Sequence, residues 1–345
     1  MKENHALRAL AIAGIALHNY CHWLPSTVRE NEYRFLQHNV DAMTDLSRLS
    51  AATLPIDLLS FFGHYGVPVF LFLSGYGLAC KYETGGRGGT LWSFTRYNYL
   101  KLLRLLVVGF VLFFLVDAVT PGTHRYPFAD LCGTLLMVGN FMIMPDQVIW
   151  PGPYWYFGLT IQLYLVYRLL FYHYRQWWVL LGAVLLCTAL QVWAGADSGV
   201  LLYLRYNCIG GMLPFVFGIA VARHSAVLDP PLSPWQRLLL FIGSSLAIVL
   251  SSLWFATWLF TPLFVVVAAL SLVRLFPDVS ASRPVQWVGS ISAAIFIVHP
   301  ILRKIVIRHY HTADQWTGLL AYAVATLVVA WLVQLIINKI PRPTE

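Results

Sequence analysis

Runs of about twenty apolar residues, each closed by a short polar stretch, recur along the chain near 7–24, 58–80, 99–117, 154–172, 177–194, 207–222, 238–254, 258–275, 288–306 and 317–339. A helix crosses a bilayer with roughly 20 apolar residues, so the pattern predicts about ten transmembrane helices. One further apolar piece, "FADLCGTLLMVGNFMIM" (128–144), holds Asp130 and two glycines, and is expected to be a re-entrant or interfacial helix. The longest polar interruption is the 33 residues from Pro25 to Asp57, mixed in charge and expected to lie as helix on the membrane surface. No small-residue cleavage site follows the first apolar run, which is therefore expected to remain as an uncleaved first span.

Composition supports this pattern. Of 345 residues, 59% are hydrophobic and 11% charged, against about a quarter charged in soluble domains, and the mean hydropathy is +0.67. The expected fold class is all-α, a polytopic membrane helical bundle forming a single domain over 1–345. The net charge of +8 comes from basic residues clustered at segment ends, not from an aromatic-interleaved patch, so no nucleic-acid partner is expected. The five cysteines are widely spaced and mostly within apolar runs, which predicts free thiols without a disulfide framework or zinc cluster.

Basic residues orient spans. Lys81, Arg87, Arg96, Lys101 and Arg104 mark one connection as cytoplasmic. Arg168, Arg175, Arg223, Arg237, Arg274, Arg283, Lys339 and Arg342 fall on the same side if both termini are cytoplasmic and 128–144 does not cross. Arg303, Lys304 and Arg308 break the rule by falling outside.

Ionisable groups within spans are costly and mark functional sites. The stretch "RALAIAGIALHNYCHWLP" carries Arg8, His18 and His22 on the first span. Helical geometry puts His18 about 15 Å along from Arg8 and about 80° round, and His22 about 21 Å along and about 40° round. His18 and His22 share a face, as a metal pair would, but no third ligand has helpful spacing and no metal is expected. Polar contacts between helices are one use of such histidines. The other is general base catalysis, which suits a neutral imidazole near the middle of a span.

Five segments in order resemble the bacterial integral-membrane acyltransferases of acyltransferase family three. Arg8 followed by "ALAIAGIALH" is similar to the opening motif, and "GVPVFLFLSGYGLA" (66–79) to the second-span motif. "SFTRYNYLKLLRLL" (93–106), "PYWYFGLTIQLYLVYRLL" (153–170) and "GSISAAIFIVHPIL" (289–302) resemble the remaining three. The resemblance implies transfer of an acyl group, usually acetyl, from acyl-CoA to a hydroxyl of a surface or exported glycan or glycolipid, in the bacterial cytoplasmic membrane. It implies His18 as general base and Arg8 as a group that stabilises charge or positions the donor. Arg96, Lys101 and Arg104 would hold the coenzyme A phosphates, with positive-inside anchoring as their other reading. His22, His64, Trp155, Gln162, Tyr164 and His299 would serve acceptor binding, or interfacial and interhelical contacts; Gln162 is expected to face the cavity. No permanently bound cofactor is expected.

Two departures stand out. Many members place the histidine eleven residues beyond the arginine, whereas His18 is ten beyond Arg8; and many carry a glutamate where this chain has Thr160. A transporter or channel lined by Arg8, His18 and His22 is the alternative from another class, weakened by the absence of repeat halves. A non-catalytic sensory or binding protein of the same fold is the third.

Overall fold

Helices form where the apolar runs predict them. The computed structural model describes residues 3–25, 27–45, 47, 50–85, 89–310 and 314–344, and no strand occurs among them; Arg87 lies outside the described residues. The ten main helices are α1 (Asn4–Cys21), α2 (Leu54–Thr84), α3 (Leu91–Val119), α4 (Trp155–Val166), α5 (Trp177–Ala194), α6 (Cys208–Arg223), α7 (Pro234–Ser251), α8 (Thr261–Leu275), α9 (Ser292–Tyr310) and α10 (Gln315–Lys339). By length and composition five of them, α2, α3, α5, α7 and α10, can cross a membrane alone. Two bent pairs, Gly199–Tyr206 with α6 and Arg283–Ser290 with α9, raise that number to seven.

The expected count of about ten is not reached on this criterion, for a physical reason. Helix α1 turns polar residues inward, and α8 has only 15 residues. Helix α4 runs 12 residues before a wide turn over Tyr167–Phe171. The 128–144 piece contains one helix of eight residues, Phe128–Leu135, about 12 Å long and too short to cross.

Apolar side chains divide between lipid and core. Val111 and Leu115 on α3, Leu185 on α5, Leu246 on α7 and Leu320 and Val324 on α10 point outward, as a bilayer requires. Helix α1 sits at the centre, packed against α2, α8, α9 and α10. Its Tyr20 stacks on Tyr322 with ring centroids 4.9 Å apart, and the Tyr322 hydroxyl donates to the Ala16 carbonyl at 2.9 Å.

Small residues let these helices approach closely, the usual solution where no hydrophobic force separates helix from lipid. On α2 and α6, Gly75 abuts the Phe215 carbonyl and Gly218 abuts the Phe72 carbonyl. On α1 and α2 the contact runs through Gly14, Gly63 and Gly66. A Cβ at Gly63 would stand 2.6 Å from the His18 Cβ and 2.8 Å from the Gly14 carbonyl oxygen.

The 25–57 segment corrects the expectation of a surface helix. Before α2 begins at Leu54, its one helix among the described residues is Gln37–Thr44, and the other described residues are irregular chain held down on the end of the bundle. Asp57 accepts from the Val28 amide at 3.1 Å, and the Ser60 hydroxyl donates to the Val28 carbonyl. Asn39 donates to the Glu30 carbonyl at 2.9 Å and the Trp258 indole to the Asn31 carbonyl at 3.1 Å. Four bonds into the bundle and within the loop satisfy buried groups that a helix on the surface would leave to itself.

Ion pairs account for several charges read as orientation signals. Arg223 pairs with Glu83 at 2.8 Å, both buried, and Tyr167 donates to the same carboxylate. Lys304, one of the three charges that break the positive-inside rule, is paired with the buried Asp117.

The glycine crossing yields a prediction. Gly63→Ala should destabilise the protein by about 1–3 kcal/mol, the usual cost of overpacking. Gly77→Ala should be near neutral, because a Cβ there meets nothing within 4 Å. Thermal unfolding of both variants in detergent checks this, and equal shifts would contradict the crossing.

Candidate functional site

The C-terminal end of α1 opens into a cavity of about 220 Å³. Its walls come from α1 (His18, Asn19, His22), the 25–57 segment (Glu30, Glu32, Tyr33), α2 (His64), the start of α4 (Trp155, Tyr156), Tyr206 before α6, and α9 (Phe296, His299, Arg303). Four histidines therefore converge: His18 on α1, His22 just past its end, His64 on α2 and His299 on α9.

His18 is 4% exposed, and its Nδ1 lies 2.9 Å from the Ser60 carbonyl oxygen. A carbonyl has no hydrogen to give, so Nδ1 carries the hydrogen and donates. In the neutral ring Nε2 then keeps its lone pair. His22 stands edge-on to His18 at 4.6 Å between centroids, and His64 lies 5.6 Å away. Neither ring nitrogen of His64 has a partner, and both are buried. His299 is fully buried; its Nδ1 faces the Ile295 carbonyl at 3.3 Å, leaving Nε2 without a partner. Orphaned buried polar atoms are rare in folded proteins and often mark catalytic or binding positions.

Carboxylates that sequence spacing did not reveal complete the site. Glu30 Oε1 lies 3.2 Å from His22 Nδ1, and Glu30 Oε2 is buried without a partner. Burial pushes the Glu30 carboxyl up, but the hydrogen bond and charge of His22 outweigh it and hold the group below the usual carboxylate range. Glu32 behaves oppositely. Burial and the charge of Glu30 push it up to about 8, so it is largely protonated at neutral pH. His18, His22 and Glu30 present ligand atoms within 4.8 Å of one another and can hold a metal ion among themselves.

Aromatic rings form the rest of the wall. Tyr33 stacks on Tyr206 at 4.3 Å and meets Trp155 edge-on at 5.5 Å, while Tyr156 lies 5.4 Å from Phe296. Among the described residues the lining contains no serine, cysteine or lysine.

Of the residues singled out in the sequence, His18, His22, His64, Trp155 and His299 meet in this cavity. Gln162 does not. Its amide donates to Asn207 and accepts from the Cys208 amide, both at 2.9 Å, so it joins α4 to the start of α6, whose first N–H groups lack partners within the helix. Tyr164 is buried on α4 outside the cavity. Arg8 lies at the other end of α1, donating to Asn4 Oδ1 at 3.1 Å and within electrostatic reach of Tyr156. Arg96 and Lys101 are exposed, whereas Arg104 donates to the Ile337 carbonyl at 2.7 Å. Asn19, eleven residues beyond Arg8, lines the cavity beside His18 with its Oδ1 unpartnered.

The missed residues left little signal. Glu30, Glu32 and Tyr33 sit in a polar loop with no spacing to connect them to α1, and only the misplaced charge of Arg303 hinted that α9 contributes.

Compared with protein-family models, the chain matches the one described as an acyltransferase domain over residues 4–335. No curated protein and no solved structure matches it.

Glu32 gives a prediction with a definite sign. A carboxyl raised in the folded state holds its proton where the unfolded chain has lost it, so its contribution to stability declines as pH rises from about 4.5 to about 8. Glu32→Gln should therefore raise the melting temperature at pH 8.5 relative to wild type more than at pH 5. An equal effect at both pH values would contradict the raised pKa.

Proposed function

Since this chain belongs to the acyltransferase 3 family and is an acyltransferase, we propose that it moves an acyl group, acetyl in the simplest case, from acyl-CoA to a hydroxyl of a surface or exported glycan, with His18 as general base. The observation that carries this reading is the hydrogen bond from His18 Nδ1 to the Ser60 carbonyl. It fixes the tautomer that leaves a lone pair on Nε2, in a cavity walled by aromatic rings and polar groups, the usual make-up of a small-molecule site.

The acceptor enters at the His18 end, on the external side. The donor enters at the Arg8 end, on the cytoplasmic side, where Arg96, Lys101 and Arg104 meet its phosphates and Arg8 meets the pantetheine arm. His18 Nε2 takes the proton of the acceptor hydroxyl as the oxygen attacks the thioester carbonyl. The tetrahedral oxyanion collapses, the carbon–sulfur bond breaks, and the leaving thiolate takes the proton from the His18 imidazolium. Products are the acyl ester and free coenzyme A. Direct transfer is favoured over a serine- or cysteine-bound acyl enzyme because no such nucleophile lines the cavity among the described residues. His22, held by Glu30, positions the His18 ring and the acceptor.

One observation favours a second reading. Two histidines and a glutamate are a donor set found in catalytic zinc sites, and His18, His22 and Glu30 lie close enough to hold an ion, which would then activate the acceptor oxygen.

His18→Ala should lower acceptor-dependent release of coenzyme A thiol by about 10²–10⁴-fold, with detergent-extracted protein still monodisperse, and His22→Ala should cost less. Greater loss at His22 than at His18 would overturn the assignment of the base. Dialysis against a chelator separates the two readings: unchanged turnover is expected for the histidine base, and loss restored by zinc would establish the metal.

A further inference from the structure

Arg303 is buried and has no anionic partner. It is 7% exposed, lines the cavity, and stacks its guanidinium 4.4 Å from the centre of the Trp23 ring. Among the described residues no carboxylate pairs with it and no oxygen accepts a hydrogen bond from it. Other shielded cations differ. Lys304, the next residue, is paired with Asp117, Arg223 with Glu83, and Arg274 with Asp229; Arg205 donates to the Glu32 carbonyl and to Gln191.

A guanidinium stays protonated at any physiological pH, and a charge removed from water without a partner is strongly unfavourable. The stacked ring compensates only part of that loss. The acidic groups of the same cavity do not neutralise it. Glu30 is taken by His22, Glu32 makes no ion pair with Arg303 among the described residues, and Asp146 is exposed. A guanidinium with no oxygen acceptor among the described residues therefore lines a ring-walled cavity, and its planar fork of donors matches the geometry of a carboxylate or phosphate.

We propose that Arg303 forms an anion subsite that binds a carboxylate or phosphate carried by the acceptor, so that the acceptor is an acidic glycan. This rests on the reading of the cavity as the acceptor site. Arg303 selects the substrate, while His18 performs the proton transfer.

The test measures binding first and turnover second. Methyl glucuronoside, glucose 6-phosphate and methyl glucoside are titrated calorimetrically into the protein in phosphatidylcholine nanodiscs, as wild type, Arg303→Gln and Arg303→Lys. The expected result is that at least one anionic probe binds wild type tenfold or more tighter than methyl glucoside. Arg303→Gln abolishes that preference, Arg303→Lys restores part of it, and the better of the two anionic probes identifies the group. Equal binding of all three probes by wild type, or a preference unchanged in Arg303→Gln, would overturn the proposal. Repeating the titration in phosphatidylglycerol nanodiscs separates the two sources of anion; a preference erased there would assign the subsite to a lipid headgroup and overturn the acceptor assignment.

Turnover with acetyl-CoA then separates the subsite from the acyl-transfer reading. A rise in KM of tenfold or more for the anionic probe in Arg303→Gln, with kcat unchanged, supports the subsite. An equal fall in kcat for neutral and anionic probes would place Arg303 on the oxyanion of the reaction and overturn it. Arginine-dependent anion binding without thiol release from acetyl-CoA would leave the subsite standing and count against acyl transfer to these sugars.

Discussion

The hydrogen bond between His18 Nδ1 and the Ser60 carbonyl is the constraint on which the rest of the site depends. It exists because α1 and α2 cross closely enough at Gly14, Gly63 and Gly66 for a side chain of one helix to reach the backbone of the other. The same turn of α2 also captures the loop that covers the site. Ser60 donates to the Val28 carbonyl and Asp57 accepts from the Val28 amide, two residues before Glu30. One crossing therefore sets the tautomer of His18, the position of the loop, and through it the carboxylate that holds His22. Bonds of this kind gain geometric precision in a low-dielectric interior, where an unpaired polar group is costly.

The molecule has two chemically different ends joined by α1. At one end stands Arg8, bonded to Asn4. At the other, histidines, carboxylates and aromatic rings enclose the cavity. Between them Tyr156 packs on Phe296 and near Phe70. A helix of 18 residues thus carries Arg8 towards one end and the cavity histidine His18 towards the other, the separation on which the proposed two-sided transfer rests. The buried ion pair of Arg223 and Glu83 ties α2 to α6 at the Arg8 end, and that of Lys304 and Asp117 ties α3 to α9.

Periodicity and hydropathy made the helices legible, because each apolar run has to satisfy its own backbone in lipid. Five helices are long and apolar enough to cross alone, seven if each bent pair is one span, so the count of about ten is not confirmed: α4 and α8 are short and α1 is polar on its inner face. His18, His22, His64, Trp155 and His299 were legible because a polar group in an apolar run is conspicuous. Glu30, Glu32 and Tyr33 were not, because polar residues in a polar loop carry no such contrast, and their position is set by long-range bonds to Asp57, Ser60 and Trp258. Gln162 was conspicuous for the same reason as the histidines but serves the joint between α4 and α6. Contrast with the surroundings reveals that a residue has a polar partner; it does not reveal which one. Thr160 donates to the Tyr156 carbonyl, and Glu30 and Glu32 come to the cavity from the loop.

The central claim is that His18 presents an unprotonated Nε2 because its Nδ1 hydrogen is held by a backbone carbonyl. The most direct measurement is a nitrogen-15 correlation spectrum of histidine-labelled protein in nanodiscs at neutral pH, with His18→Ala used to identify its signals. The account predicts a neutral His18 ring with hydrogen on Nδ1 and a lone pair on Nε2. A ring protonated on Nε2, in either the neutral or the charged form, would contradict it.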